Sequence, residues 1–267
     1  MDEGLGEEIG RIIGSVQSLR HLVPEGGLRK QEKVAEEMDD LISPEYEPYF
    51  LGNAALHICA SCQRCGRCCR EEREIAVSGS DCRRIAKHLN ISLKAFMRDY
   101  TRPHSLSSRD VGDARMMRKN VGEPCPFFDP SLPGCRIHAF KPQVCSAAFY
   151  LSKMNLLICE EMVQFSSFPN CPADLDLRAK MADLASRLKN DPLASGELER
   201  FFYSDLPEAE LFRKLLRLKG IEIYFGQEMA ALLAGKLGLK RLPGNSELHD
   251  AAFLYAVLLT GRTSEQK

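Results

Sequence analysis

The sequence predicts an α+β protein, predominantly helical, in which a small cysteine-rich core with short strands is flanked by N- and C-terminal helices. Three observations lead there. Apolar residues recur at helical spacing at both ends of the chain, all eleven cysteines fall between residues 46 and 175, and that same stretch holds most of the prolines. The chain therefore divides into an N-terminal helical segment (1–45), a cysteine-rich domain (46–175) and a C-terminal helical domain (176–267). Its 267 residues, 44% hydrophobic and 27% charged, suffice for a conventional core.

The elements follow in order. Ile9, Ile12, Ile13, Val16 and Leu19 define an amphipathic helix over about 5–22, which Pro24 and Gly26-Gly27 end. A second helix runs from about Leu28 to Ile42 and stops before Ser43-Pro44. In the centre, Ser80-Asp81 is positioned to cap a helix through Leu89, and Ser92 another through Tyr100. Arg115 to Lys119, Pro126 to Phe128, Phe149 to Leu151 and Leu156 to Cys159 read as short strands, the last two joined by a turn at Ser152-Lys153-Met154-Asn155. Helices are expected near 174–189, 193–203, 207–218, 226–236 and 246–260, the last capped by Ser246 after Pro243-Gly244.

Charge and composition narrow the function. Net charge is −1, but residues 1–50 carry twelve acids against five bases, and residues 64–119 carry fourteen bases against seven acids. Such runs are ordinarily solvated faces; docking of the acidic helices on the basic segment is the sharper alternative. The acidic start has no signal-peptide pattern, and the longest apolar run, Ala251 to Leu259, is about half of a membrane span. A cytoplasmic location with no membrane is expected. In that reducing setting, clustered cysteines serve as metal ligands more often than as disulfides.

Cys59, Cys62, Cys65 and Cys68 recur every third residue, and Cys69 follows at once. A C-x2-C loop turns two sulfurs toward one ion, at Zn–S distances near roughly 2.3 Å. Gly66 permits the tight backbone this needs. Three cysteines at C-x2-C-x2-C with a remote Cys-Pro suit an iron–sulfur cluster equally, and Cys125-Pro126 and Cys171-Pro172 both supply one. Spacing alone leaves the metal open. Glu72 occupies the third place of the C-x3-C-x2-C spacing begun by Cys65 and Cys69, which argues against radical S-adenosylmethionine chemistry. Adjacent Cys68 and Cys69 are expected to point in different directions.

The run Cys62-x2-Cys65-Gly66-x-Cys68-Cys69, then Cys125-Pro126-Phe127-Phe128-Asp129, Gly134-Cys135 and Lys141-Pro142-x2-Cys145, resembles the YkgJ-type CxxCxxCC family. That family is described as chelating zinc or iron and includes the cysteine-rich region of flagellin lysine methylases. The resemblance covers about residues 58–172. It implies eight metal-site cysteines: Cys62, Cys65, Cys68, Cys69, Cys125, Cys135, Cys145 and Cys171. Cys59, Cys82 and Cys159 lie outside the pattern. The family usually has Tyr where this chain has His138 and Arg where it has Lys141, which keeps the charge but loses the guanidinium fork.

Eight thiolates exceed the four that one tetrahedral ion or one cubane uses. The leading expectation is a 4Fe-4S iron–sulfur cluster for redox, metal-handling or maturation work with a protein partner, its negative charge offset by Arg64, Arg67, Arg70 and Arg73. The alternative is a structural zinc module for protein interaction, and the further alternative is a lysine methyltransferase-like enzyme. The basic stretch carries no recognised nucleic-acid module.

Overall fold

The computed structural model describes residues 3–24, 32–42, 47–71, 75–103, 115–120, 122–132, 134–142, 145 and 171–265. It is predominantly helical with a few short antiparallel strands, as the sequence predicts.

Helix α1 (Glu3–Ser18) buries Leu5, Ile9, Ile12 and Val16 along one stripe, then tightens into a 3-10 turn at Leu19–Leu22. Helix α2 (Glu32–Leu41) buries Val34 and Met38. Helix α3 (Glu47–Cys59) was not expected from the sequence. Leu51, Ala54, Ala55, Leu56 and Ile58 are all buried, so apolar residues surround most of the helix and no polar face marks its period. It packs between two C-terminal helices, described next.

These helices are α7 (Pro172–Asn190), α8 (Pro192–Phe202), α9 (Pro207–Phe225), α10 (Gln227–Lys236) and α11 (Asn245–Glu265). Three start with proline, whose missing N–H is not needed at the first helical position. Helix α9 runs on to Phe225, beyond the expected end near 218, and stops at Gly226 with φ of 104°. Its interior Gly220 lies against the Phe50 ring of α3: a β-carbon there would stand 2.3 Å from Cε1. The missing side chain permits a close helix crossing. Ser246 does not cap α11. It lies inside the first turn, and the Gly244 N–H donates to Oε2 of Glu247, which Arg241 holds.

Side chains from α1, α2 and α3 share one apolar cluster with those of α7 to α11. The acidic N-terminal residues meet bases from these helices: Glu8 pairs with Arg187 at 3.2 Å, Glu37 with Lys236, and Glu47 with Arg217 at 3.3 Å. None of these three partners belongs to the basic stretch 64–119.

The central segment has its own smaller core. Strands β1 (Ala76–Val77), β2 (Thr101–Pro103) and β3 (Arg115–Met117) form an antiparallel sheet with β3 in the middle. Between β1 and β2 run α5 (Gly79–His88) and α6 (Leu93–Tyr100). Ser92 caps α6, accepting from the Ala95 N–H at 3.1 Å, as expected. The cap of α5 is Ser78, not Ser80-Asp81; Asp81 instead closes a capping box by accepting from the Ser78 N–H at 3.0 Å. Phe96, Tyr100 and Phe127 stack in series, with centroid separations of 5.4 and 5.1 Å. The strand expected at 126–128 lies at β4 (Phe128–Asp129), paired with β5 (Gly134–Cys135). The hairpin expected over 149–159 lies outside the described residues.

Candidate metal centre

Three local devices bring cysteines together. The first is the loop before the short helix α4 (Arg67–Glu71). Arg64 and Gly66 both take positive φ, 53° and 71°, turning the chain sharply through Cys65. The helical turn then presents Cys68 and Cys69, steadied by Arg67 gripping both oxygens of Glu71 at 2.8 and 3.0 Å.

The second device is the β4–β5 hairpin, which lies directly on that loop. A β-carbon on Gly66 would stand 2.3 Å from Cε2 of Phe128, and Arg70 sits 5.3 Å from the same ring's centroid. The Cys125 N–H donates to the Cys69 carbonyl at 2.8 Å, tying the approach to the hairpin onto α4. Lys119 Nζ donates to the same carbonyl at 3.4 Å.

The third is a 3-10 turn at His138–Phe140 leading to Lys141 and Cys145. His88 of α5 stacks on Phe140 at 4.0 Å, and Arg84 donates to the Lys141 carbonyl at 2.7 Å while paired with buried Asp81. Helix α5 thus fixes where Lys141 stands.

Together these place Cys68, Cys69, Cys125, Cys135 and Cys145 in one nest. The Cys69 thiol stands against both Cys135 and Cys68, and its pairing with Cys135, then with Cys68, then burial, holds its proton well above the ordinary range. These two neighbours respond in the opposite sense. The bond from Cys69, with help from Lys141, brings Cys68 down to about 6 against burial. The same bond, then the Ile137 N–H and Lys141, bring Cys135 to about 7. Burial pushes Cys125 up, and it pushes Cys145 further, with the neighbouring sulfurs adding to both. Contrary to the sequence expectation, adjacent Cys68 and Cys69 converge: one helical turn leaves their sulfurs within hydrogen-bonding reach.

Among the described residues, no three His, Cys, Asp or Glu side chains already surround a common ion position. Cys68, Cys69 and Cys135 interact through S–H···S pairing. Such bonds are weak, and a metal that takes thiolates replaces them with much stronger ligation. The donor set therefore fits a soft-ligand ion such as zinc or iron. Cys62 and Cys65 are exposed on the loop that touches the hairpin, and Cys171 is half-buried as the N-cap of α7. Cys82 is buried in the small core, and the Cys59 thiol donates to the His249 carbonyl at 3.6 Å. Cys159 lies outside the described residues.

Two residues matter here that spacing alone did not assign to the nest. The Lys141 ammonium acts on Cys68, Cys135 and Cys145 at once. It also acts on His57 at the end of α3, which burial first, then Lys141 and Lys219, lower to about 4. His138 is lowered by burial and then by Lys141 and Arg64, and its Nε2 is buried without a hydrogen-bond partner among the described residues. The departures from the family pattern at 138 and 141 were the available signals.

Short elements gathered around clustered thiols form a cysteine-rich segment set among helices. Residues 61–164, less than half of the chain, match the CxxCxxCC family model, described as "Putative zinc- or iron-chelating domain". Comparison with curated proteins and with solved structures gave no match. Among the described residues, no helix is long and apolar enough to cross a membrane.

Proposed function

We propose that the central segment holds iron, most readily as an iron–sulfur cluster, and uses it for electron transfer, metal delivery or cofactor maturation with a protein partner. The observation that carries this reading is the nest of Cys68, Cys69, Cys125, Cys135 and Cys145, in which Cys69 stands against Cys135 and Cys68, and Cys125 and Cys145 lie within electrostatic reach of Cys68 and Cys135. Cys62 and Cys65, and Cys171 at the head of α7, are further ligands under the same reading. More sulfurs than one tetrahedral ion needs favour a cluster or a second ion. When bound, the group supplies a reversible one-electron site.

The chain's own residues do the rest. Lys141, with Arg64, Arg67 and Arg70 nearby in the fold or sequence, offsets the negative charge of the thiolates. The Ile137 N–H supports the Cys135 sulfur, and the Phe127 N–H supports Cys125. Phe96 and Phe127 share the small buried core with Cys125, and Tyr100, Cys69, Cys135 and Cys145 pack against it.

A structural zinc site is the second reading. It is favoured by the way Cys125 and Cys145 pack into the small apolar core, where a closed redox-inert ion would hold the short elements together. Oxygen-free purification followed by iron, sulfide and zinc analysis separates the two. Brown protein with matching iron and sulfide supports the first, and colourless protein with one or two zinc ions supports the second.

A further inference from the structure

We propose that His138 is a ligand of the metal centre, its Nε2 standing beside the cysteine sulfurs in a mixed sulfur–nitrogen set. The inference rests on the metal-binding reading above and adds a donor that an all-cysteine site lacks.

Nε2 of His138 is buried and has no hydrogen-bond partner among the described residues. Leaving a buried polar nitrogen unsatisfied is unfavourable, and a metal ion would remove that cost. The spacing is suitable too. Cys135 ends β5 and His138 opens the 3-10 turn, so Cys135-x2-His138 is a short arm of the length that brings two donors to one ion.

The arm is also held in place. The Phe140 N–H donates to the Ile137 carbonyl at 2.8 Å, and the Phe140 ring stacks on His88. The ring of His138 lies within electrostatic reach of both Arg64, from the Cys62–Cys65 loop, and Lys141, whose charge also acts on Cys68, Cys135 and Cys145. It is thus tied electrostatically to the loop through Arg64 and to the nest through Lys141. A neutral imidazole ligates through the Nε2 lone pair with the proton kept on Nδ1, so no co-reactant is required.

The test uses the full-length chain, stripped of metal and reconstituted with cobalt(II), whose visible bands report the donor set. His138→Phe keeps a flat ring and removes the nitrogen. It is expected to shift the d–d bands and to weaken cobalt and zinc binding at least about tenfold in competition with a chromophoric chelator. His138→Cys is expected to restore tight binding, with one thiolate more in the charge-transfer intensity. If His138→Phe does not fold, the His138→Cys spectrum decides alone. Unchanged spectra and affinities in the folded variants overturn the assignment of His138 and leave the metal reading standing. A wild-type chain that takes up neither cobalt, zinc nor iron overturns the metal reading itself.

Discussion

A β-carbon on Gly134 would stand 2.6 Å from the carbonyl oxygen of Arg64. The strand carrying Cys135 and the loop carrying Cys62 and Cys65 therefore meet backbone to backbone, and Gly134 has a φ of 86° as well. Gly134→Ala is expected to cost about 1–3 kcal/mol in strain alone. It should also push the hairpin away from the loop, lowering bound metal per chain and exposing the central segment to protease. Wild-type metal content and proteolysis in this variant would contradict the packing described.

The helical body offers a comparison independent of metal. At Gly220, alanine gains roughly 1 kcal/mol of helix propensity, but its methyl group meets the Phe50 ring. Overpacking costs about 1–3 kcal/mol, so Gly220→Ala should lower the melting temperature. Phe50→Leu added to it should recover part of the loss. A Gly220→Ala protein melting above wild type would show that the α3–α9 crossing is looser than described.

Cysteines of the nest and outside it should behave differently. Cys69→Ser removes the thiol shared by Cys68 and Cys135 and is expected to lose more than half of the bound metal, read by elemental analysis. Cys82→Ala, in a buried residue of the small core, should retain the metal and lose about 1 kcal/mol of stability. Equal metal loss from both would place the site elsewhere.

Metal-free protein should report the charge of Lys141. Cys69, then Lys141, favours the thiolate form of Cys68, and Cys69, then the Ile137 N–H and Lys141, favours that of Cys135. Lys141→Met removes the ammonium that favours these thiolates. Iodoacetamide labelling at Cys68 and Cys135, followed by peptide mass spectrometry, should slow several-fold in the variant. Unchanged rates would mean that Lys141 does not act on the nest.

His57, at the end of α3, gives a pH dependence. Its folded value, about 4, lies below the ordinary 6.5 because burial, Lys141 and Lys219 oppose the imidazolium. Between these values the unfolded chain binds the proton and the folded chain does not. Stability from this group is therefore complete above pH 6.5 and falls as pH drops toward 4, by at most about 3 kcal/mol. The difference in urea-unfolding free energy between wild type and His57→Leu should narrow over that window. A constant difference would show that His57 titrates alike in both states.

Much of the helical frame was legible because its apolar stripes keep a helical period, as Leu5, Ile9, Ile12 and Val16 do in α1. Helix α3 was not, because Leu51, Ala54, Ala55, Leu56 and Ile58 leave no polar face to reveal a period. The second half of α9, through Gly220 to Phe225, was not expected, although Leu218, Ile221 and Ile223 are buried there. At the site, the ordered cysteines were evident, but their grouping was not. Cys125 and Cys135 reach Cys69 through the packing of a hairpin on a loop, and no local spacing encodes that. The convergence of Cys68 and Cys69 depended on a single helical turn too short to show a period.

Metal content of protein purified without oxygen tests the central claim most directly. The sulfur nest predicts stoichiometric iron with sulfide, or zinc, and loss of the compact central segment once the metal is removed, since thiolate sites contribute on the order of 10–16 kcal/mol. A compact, protease-resistant chain that contains neither iron nor zinc would contradict it.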